Sequence, residues 1–306
     1  MNKQGSIFVL TGCTASGKTD WALRWAERNN AEIVSCDSLL FYRGMDIGTA
    51  KPTAEERARV PHHLIDICDV TDRLDVTYYV TNALRAVEAI TARGRRVLVA
   101  GGSGFYLKAF FSPVADNVSV PAVVRAEIAA KLEAEGLAAL VSELSQANPA
   151  GLGALDTANP RRVVRALERC RASGKTLADL ADDFAKMPAP FANWEVQLVR
   201  LDREPKELER RIAARVETML RAGLIEEVQR LIPAGLQQTP SAAKAIGYRE
   251  TIEFLKGKVP RAALAEEIAR NTRALVKKQR TWFRTQLPEH KIIPAGAELP
   301  ADLFAL

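Results

Sequence analysis

Short apolar runs alternate along the chain with longer stretches whose composition favours helices. The first run, SIFVL at Ser6–Leu10, precedes a glycine-rich turn and a helical stretch over Thr19–Arg28. Short apolar strands that alternate with helices of about ten or more residues are typical of a parallel, doubly wound sheet. The pattern therefore predicts an α/β fold. Further strands are predicted at Glu32–Ser35, Val97–Ala100, Val196–Leu201 and His290–Ile293.

One long region has no strand pattern. Residues 121–186 contain Ala-rich amphipathic segments that are interrupted by two Asn-Pro pairs and by Gly174. Such breaks separate successive helices. We therefore predict a helical insertion within an α/β core of the P-loop type. The predicted boundaries are 1–118 for the first part of the core, 119–190 for the insertion and 191–306 for the completion of the core with helical C-terminal segments.

The C-terminal part is helical again over residues 203–284. Apolar residues at intervals of seven in its final helix, Ile268, Leu275 and Trp282, are expected to pack into the core. Another face of the same helix carries five cations at spacings of three and four residues. These cations are Arg270, Arg273, Lys277, Arg280 and Arg284.

The charges of the chain are unevenly distributed. The 306 residues carry 43 Lys and Arg against 37 Asp and Glu, a formal net charge of +6. Residues 1–202 hold 24 basic and 24 acidic side chains, whereas residues 203–284 hold 18 basic and 10 acidic ones. A localised excess of positive charge indicates a surface that binds a polyanion. The alternative explanation is an Arg-rich helical surface that is simply exposed to solvent.

Composition excludes several classes of protein. With 47% apolar and 26% charged residues, the chain is typical of a globular protein and unlike a disordered one. No apolar run approaches the ~18 residues that a membrane span needs, and the short polar start does not resemble a signal peptide. The cysteines are widely spaced with no C-x-x-C pair, so we expect no disulfide framework and a cytoplasmic protein.

A phosphate-binding motif follows the first predicted strand and precedes a helix, which is the context that G-x-x-x-x-G-K-[ST] requires. Its glycines let backbone N–H groups converge on phosphate oxygens, and the helix directs its positive end at the same anion. Lys18 adds a cation, and the Thr19 hydroxyl is placed to ligate Mg²⁺ as the cofactor. The motif comprises Gly12, Cys13, Thr14, Ala15, Ser16, Gly17, Lys18 and Thr19.

Asp37 follows the second predicted strand. In a parallel sheet this is the carboxyl edge, where ligands bind. The carboxylate is therefore a candidate Mg²⁺ ligand or general base, and the alternative is that Asp37-Ser38 caps the next turn. Residues 42–52 are too irregular for a helix or strand and predict an ordered loop near the site.

Longer blocks carry a more specific signal: GCTASGKT, DSLLFYRGMDIGTAKP, PHHLIDI, GGSGFYL, NPRRVVRALE, SGKTL, KAIGYRE and KKQRTWFR. With these blocks the chain resembles the tRNA dimethylallyltransferases (tRNA isopentenyltransferases) almost from end to end. It departs from the family at Cys13, where Pro is usual, at Leu39-Leu40-Phe41, where more polar residues are common, and at Ser103, where Thr is commoner.

The resemblance implies transfer of a dimethylallyl group from dimethylallyl diphosphate to N6 of the adenosine 3′-adjacent to the anticodon of tRNA. The phosphate loop would hold the donor's diphosphate, and the insertion would grip the anticodon stem-loop. Asp37 would take the N6 proton, and Ser103 would hydrogen-bond the base or orient Asp37. Arg215, Lys18 and Mg²⁺ on Thr19 would stabilise the leaving diphosphate.

RNA affinity should come mainly from phosphate contacts. For the arginines of the insertion and for the C-terminal stripe, the alternative is again a solvated helix face. The candidate RNA-binding residues are Asp37, Ser38, Leu39, Leu40, Ser103, Arg125, Arg161, Arg162, Val163, Val164, Arg165, Lys244, Ala245, Ile246, Gly247, Tyr248, Arg249, Arg273, Lys277, Lys278 and Arg280.

Three other functions are compatible with parts of the sequence. A P-loop kinase of a small molecule would use the phosphate loop and Asp37. A prenyltransferase could act on a free adenine nucleotide instead of tRNA, and an RNA-binding NTPase switch would modify no base. For a protein that wraps its RNA substrate we expect a monomer, without membrane contact.

Overall fold

The strands of the computed structural model, which describes residues 3–296, 300, 303 and 304, form one parallel sheet. They are Ser6–Gly12 (β1), Ala31–Ser35 (β2), His62–His63 (β3), Arg96–Ala100 (β4), Glu195–Asp202 (β5) and Lys291–Pro294 (β6). Their order is β3-β2-β4-β1-β5-β6, and every paired strand is parallel to its neighbour. The α/β prediction is therefore confirmed. Only β3 lacks a predicted counterpart, because two residues are too short to show a periodicity.

The chain forms two compact units, of which one is Pro113–Pro188 and the other comprises the described residues on either side of it. The helices of the sheet unit are Lys18–Arg28 (α1), Ala54–Arg59 (α2), Val76–Ala92 (α3), Gly104–Lys108 (α4), Pro205–Arg221 (α8), Leu224–Leu231 (α9), Pro240–Ala243 (α10), Tyr248–Leu255 (α11) and Arg261–Gln286 (α12), with a short 3₁₀ helix at Leu236–Gln238. Those of the other unit are Ala122–Gln146 (α5), Pro160–Ser173 (α6) and Leu177–Ala185 (α7).

The core of the sheet unit forms where α1 packs on the strands. The apolar side of this helix, which includes Trp21 and Trp25, is buried against strand residues such as Leu10 and Leu98. The rings of Phe8, Trp25 and Phe304 lie with their centroids 4.9–5.0 Å apart. Aromatic rings bury more apolar area than other side chains, so this cluster fixes α1, and with it the loop that precedes α1, against the sheet.

The direction of the strands determines where the site forms. Because all strands are parallel, the segments that follow them meet at one edge of the sheet. The phosphate loop follows β1, Asp37 follows β2, Gly101–Ser103 follows β4 and Arg203 follows β5. The central position of β1, between β4 and β5, places the phosphate loop between the other segments.

The second unit is a small helical domain with its own core. Ile128, Leu140, Val163 and Leu167 are among its buried residues. The Asn159-Pro160 pair begins α6 rather than merely ending a helix, because the Asn159 side chain accepts the backbone N–H groups of the first turn. The unit begins at Pro113 and ends at Pro188, whereas the predicted insertion spans 119–190.

Among the residues that the structure describes, no helix has both the length and the apolar character required to cross a membrane.

Candidate active site

The backbone of the phosphate loop makes a tight turn directly before α1. Gly17 has a φ of 97°, in the left-handed region that glycine tolerates, and α1 begins directly after it. The Lys18 ammonium donates a hydrogen bond to the Cys13 carbonyl at 2.9 Å, so it folds back over the loop. Burial lowers the pKa of Lys18 to about 8, although the nearby Asp37 carboxylate partly opposes this effect. The Lys18 side chain therefore changes between its charged and neutral forms at a pH close to neutral.

Three guanidinium groups surround this loop. Arg203 donates to the Ser16 carbonyl at 3.1 Å, and Arg211 donates to the Ala15 carbonyl at 2.8 Å. Arg215 donates to the Thr49 carbonyl at 3.2 Å, and its pKa is lowered chiefly by burial. Only Arg215 was singled out from the sequence. The structure adds Arg203 and Arg211, and the group forms a cationic setting for a diphosphate.

Asp37 lies two residues beyond the end of β2, where a tight turn begins. Its carboxylate accepts the N–H of Leu39 at 3.1 Å, so it also caps the turn. The Ser103 hydroxyl accepts the N–H of Ser38 at 3.1 Å and does not bond Asp37 itself. Of the two roles expected of Ser103, the contact with Ser38 is compatible with the orientation of Asp37 through the neighbouring residue.

The turns after β2 and β4 approach each other so closely that only glycine fits at Gly101. A Cβ atom there would lie 2.1 Å from the carbonyl oxygen of Cys36. The Ser103 N–H also donates to this carbonyl, at 3.2 Å. The close approach brings Ser103 beside the Asp37 turn and explains part of the GGSGFYL block.

A cavity of about 560 Å³ brings Asp37, Ser103 and Arg215 together. Asp37 and Arg215 also line a smaller cavity of about 90 Å³ with Lys18 and Thr19, so the larger cavity adjoins the phosphate site. The walls of the larger cavity are mainly apolar and come from α8, α12 and the segment before α11. They include Ile212, Val216, Met219, Ile246, Ile268, Leu275, Trp282 and Phe283.

Gln279 of α12 joins the two sides of this site. Its side-chain oxygen accepts the Thr14 N–H at 2.9 Å, and its amide nitrogen donates to the Gly102 carbonyl at 3.2 Å. The sequence analysis missed this residue. A signal was present, because Gln279 lies four residues after Leu275 and so shares a helix face with an apolar stripe.

Glu227 fixes the loop over residues 42–52. This carboxylate is 1% exposed and accepts the N–H groups of Asp46, Ile47 and Gly48 at 2.7–3.1 Å, together with the Tyr248 hydroxyl at 2.6 Å. The same loop supplies the Thr49 carbonyl that holds Arg215. Glu227 was also missed, although it is an acidic residue within the apolar stripe of α9.

The structure distinguishes among the RNA-binding candidates of the sheet unit. Ser38, Leu39, Lys244, Ala245, Ile246 and Lys278 line the cavity, and Leu40 lines the smaller one. Arg249, by contrast, is paired with Glu250. Tyr248 is fully buried with its hydroxyl on Glu227, so the expectation that its side chain contacts RNA is wrong, and Gly247 is buried beside it.

The cationic face of α12 is less uniform than its spacing suggests. Arg270 pairs with Glu267 and Arg273 pairs with Glu266, while Arg280 bonds Asp202 and the Arg203 carbonyl. Lys277 is exposed. Trp282 was expected to pack into the core, and its ring does contact Gly104 and Phe283, but it is partly exposed and lines the cavity.

In the helical unit, Arg125, Arg161, Arg162 and Arg165 are exposed. The last three line one open groove along α6, in which Arg162 and Arg165 make only long ion pairs of 3.9 and 3.5 Å. Val164 lines the same groove. Val163 is fully buried, so the expectation that its side chain contacts RNA is wrong.

The described residues contain no cluster of three or more His, Cys, Asp or Glu side chains that could hold a metal ion alone. Thr19, Ser35 and Asp37 line the smaller cavity. The hydroxyls of Ser35 and of Ser16, in the phosphate loop, are buried without a hydrogen-bond partner in the described part of the chain. Oxygen atoms of this kind fit Mg²⁺, which takes few protein ligands and completes its shell with water and phosphate oxygens.

The fold and the site define a P-loop transferase with an inserted helical unit. The model of the IPP transferase family matches residues 40–286, and the chain belongs to this family.

Similar proteins agree with this assignment. A tRNA dimethylallyltransferase of Opitutus terrae is 68% identical over 288 residues, which is 94% of this chain and 92% of that protein. The crystal structure of the full-length tRNA isopentenylpyrophosphate transferase from Bacillus halodurans matches with a TM-score of 0.69 and 33% identity, over 96% of this chain and 90% of that one. A eukaryotic dimethylallyltransferase, solved acting on tRNA, has the same fold, with a TM-score of 0.83 and 24% identity over 99% of this chain and 77% of that one.

Proposed function

We propose that this protein transfers the dimethylallyl group of dimethylallyl diphosphate to N6 of the adenosine 3′-adjacent to the anticodon in tRNA, giving N6-isopentenyladenosine. One observation carries the proposal. Asp37, Ser103 and Arg215 line a single, largely apolar cavity that adjoins the phosphate loop. Prenyl transfer to a nitrogen nucleophile requires a carboxylate base, an apolar cavity and a diphosphate site that adjoin one another.

The reaction joins N6 to the first carbon of the prenyl group while that carbon's bond to the diphosphate oxygen breaks. The N6 lone pair forms the new bond, and the electron pair of the broken bond leaves with the diphosphate. The N6 amine is a weak nucleophile because its lone pair is delocalised into the ring. Asp37 accepts the N6 proton as the new bond forms, so that no cationic nitrogen accumulates.

Electrostatics favour departure of the diphosphate. Negative charge grows on the leaving group, and the Lys18 ammonium and Arg215 guanidinium lie beside the place where it develops. Arg203 and Arg211 hold the loop through the Ser16 and Ala15 carbonyls, so the loop keeps its shape without the ligand. A preformed cationic site of this kind costs little reorganisation during the reaction.

Thr19 is the residue that would hold Mg²⁺, with phosphate oxygens of the donor and water completing the shell. When bound, the ion neutralises charge on the diphosphate and so makes it a better leaving group. The unpartnered hydroxyls of Ser16 and Ser35 offer hydrogen bonds to the phosphates or to metal-bound water.

The RNA side of the proposal rests on the two sets of exposed cations. Lys244 and Lys278 lie at the cavity, and Arg161, Arg162 and Arg165 line the groove of the helical unit. An adenine reaches the cavity only when it is unstacked from its neighbours, and anticodon loops present bases that are already partly unstacked.

The decisive experiment is mass spectrometry of tRNA nucleosides after incubation of the purified protein with tRNA, dimethylallyl diphosphate and Mg²⁺. We expect N6-isopentenyladenosine, and omission of the protein or of the donor should abolish it. Replacing tRNA with AMP separates transfer to RNA from transfer to a free nucleotide. Phosphorylation of a small acceptor by ATP, with no prenylated nucleoside, would contradict the proposal and favour the kinase.

A further inference from the structure

Three aromatic side chains line the cavity, and two of them, Phe105 and Trp282, are exposed or partly exposed, whereas Phe283 is fully buried. Phe105 is 54% exposed, although a phenyl ring of this size is normally buried. Trp282 also lines the cavity and is partly exposed. The other three tryptophans of the chain, Trp21, Trp25 and Trp194, are at most 5% exposed and belong to the core.

The indole of Trp282 is fixed by the backbone of α4. A Cβ atom at Gly104 would lie 2.6–2.8 Å from three atoms of the indole, so one face of the ring rests on this glycine. The ring of Phe283 meets it edge-on, with centroids 6.0 Å apart. The indole is therefore held in one orientation, and the part that remains exposed belongs to the cavity wall.

Cations accompany this aromatic wall. Lys244 and Lys278 line the same cavity and are exposed, and their ammonium groups make no ion pair or hydrogen bond within the described part of the chain. Free ammonium groups beside exposed aromatic rings match a ligand with flat bases and a phosphate backbone. Single-stranded RNA is recognised in this way, because every base has a face that stacks on an aromatic ring.

We propose that Trp282 and Phe105 form an aromatic platform on which the unstacked adenine of the RNA substrate stacks. Trp282 is the part of this platform that is held in one orientation, and Phe105 is the more exposed part. This inference rests on the proposed function and adds a base-binding subsite to it. The platform adjoins Ser103 in sequence, through Gly104, so a stacked adenine lies next to the turn that carries Asp37.

An aromatic wall also suits the dimethylallyl group, but the structure favours a different wall for that ligand. Met219 and Arg215 of α8 line the main cavity and also the open cavity that contains Lys18 and Thr19. Neither Phe105 nor Trp282 lines either of the cavities that contain Lys18. The short prenyl chain is attached to the diphosphate and therefore contacts α8. The platform formed by Trp282 and Phe105 then remains available to the base.

The test uses an anticodon stem-loop RNA with 2-aminopurine in place of the target adenine. This base lacks the N6 amine, so the complex cannot react, and its emission is quenched when it stacks. With the wild-type protein we expect the emission to stay low on binding, because the base leaves the RNA stack and stacks on Trp282. With Trp282→Ala the emission should rise several-fold, and Trp282→Phe should restore most of the quenching.

Kinetics on unmodified RNA supply the second readout. Trp282→Ala and Phe105→Ala should raise the KM for RNA by about 5- to 100-fold, the range expected for the loss of one stacked base, while the KM for the donor stays unchanged. Trp282→Phe should recover most of the RNA affinity, which a merely misfolded variant would not do.

Two results would overturn the platform. One is an equal rise of 2-aminopurine emission with the wild-type protein and Trp282→Ala. The other is a raised KM for the donor rather than for RNA, which would assign the aromatic wall to the prenyl group. Failure of the proposed function itself is distinct, since the wild-type protein would then form no isopentenyladenosine in tRNA.

Discussion

Among the described residues, Asp37 is the only carboxylate that lines both the larger apolar cavity and the smaller cavity at the phosphate site. Its side chain already accepts the Leu39 N–H, so its oxygen atoms have a defined orientation before substrate binds. This arrangement matches a general base that must meet the N6 proton along one direction. The capping and catalytic interpretations of Asp37 are therefore compatible.

Asp37→Asn should lower the turnover number for isopentenyladenosine formation about 10²- to 10⁴-fold, because the amide keeps the turn but cannot take a proton. The dissociation constant for tRNA should stay near the wild-type value, as measured by filter binding. Asp69→Asn is the matched control, since Asp69 is an exposed carboxylate paired with Arg43. Wild-type turnover in Asp37→Asn would show that the base lies elsewhere.

Lys18 should make donor binding depend on pH. Burial lowers its pKa to about 8, with Arg215 adding to the shift and Asp37 opposing it. The ammonium that binds diphosphate is therefore lost as the pH rises through about 8, and the affinity for dimethylallyl diphosphate should fall between about pH 7 and about pH 9. Titration calorimetry of the donor at each pH measures this.

Lys18→Arg is the control for that titration, because a guanidinium stays charged over this pH range. Its donor affinity should be lower than that of the wild-type protein but flat between the same pH values. If both proteins weaken in parallel, the titrating group is not Lys18.

At the scale of elements, the site is assembled by polar side chains on the inward faces of amphipathic helices. Gln279 of α12 links the phosphate loop to the Gly102 turn, and Glu227 of α9 holds three successive N–H groups of the 42–52 loop. The side chain of each residue forms hydrogen bonds to segments that are distant from it in the sequence. A buried polar group with every partner satisfied fixes one arrangement, since any other arrangement leaves a polar atom unpaired.

Glu227→Gln should lower the free energy of unfolding by about 2 kcal/mol, because the amide replaces one acceptor oxygen by a donor that faces N–H groups. Turnover should fall about tenfold or more, since the loop also carries the Thr49 carbonyl that positions Arg215. Urea unfolding and single-turnover prenylation measure the two effects.

Glu226→Gln is the matched variant for that experiment, as it changes the neighbouring but exposed residue of the same helix. It should leave both quantities within error of the wild-type values. Equal losses in the two variants would mean that the charge of α9, and not the contacts of Glu227, stabilises the loop.

At the scale of the whole molecule, the positive excess lies in the sheet unit. It is concentrated over residues 203–284, where several arginines are neutralised by Glu or Asp partners. The helical unit, Pro113–Pro188, has nine basic and ten acidic residues, but Arg161, Arg162 and Arg165 are exposed along one groove. RNA binding should therefore depend on local groups of cations and not on the net charge of +6.

The affinity for tRNA should fall steeply with salt, whereas donor binding should change much less. Arg161→Ala with Arg165→Ala should reduce the slope of log K against log salt by about 1 to 2, since each phosphate contact contributes about 0.7 to 0.9. Arg85→Ala, at an exposed residue of α3, is the control and should leave the slope unchanged. A slope that is the same in all three proteins would mean that this groove does not bind RNA.

The sequence by itself determined the sheet, the phosphate loop and the positions of Asp37, Ser103 and Arg215. Strands and helices follow from apolar periodicity, and the phosphate loop follows from a contiguous motif, so both are encoded locally. The common edge of parallel strands then places Asp37 and Ser103 near the loop. Arg215 came from the resemblance to the family, because no local pattern distinguishes it from Arg211 four residues earlier.

Only the tertiary structure decided which side chains face the cavity and which are buried. Tyr248 and Val163 lie in motifs that suggested RNA contact, yet both are fully buried, while Trp282 has the spacing of a core residue and lines the cavity. Helical spacing determines which residues share one face of a helix, but it does not determine which part of the protein that face contacts. Gln279 and Glu227 gain their roles from partners more than 170 residues away, so their contacts exist only once the chain has folded.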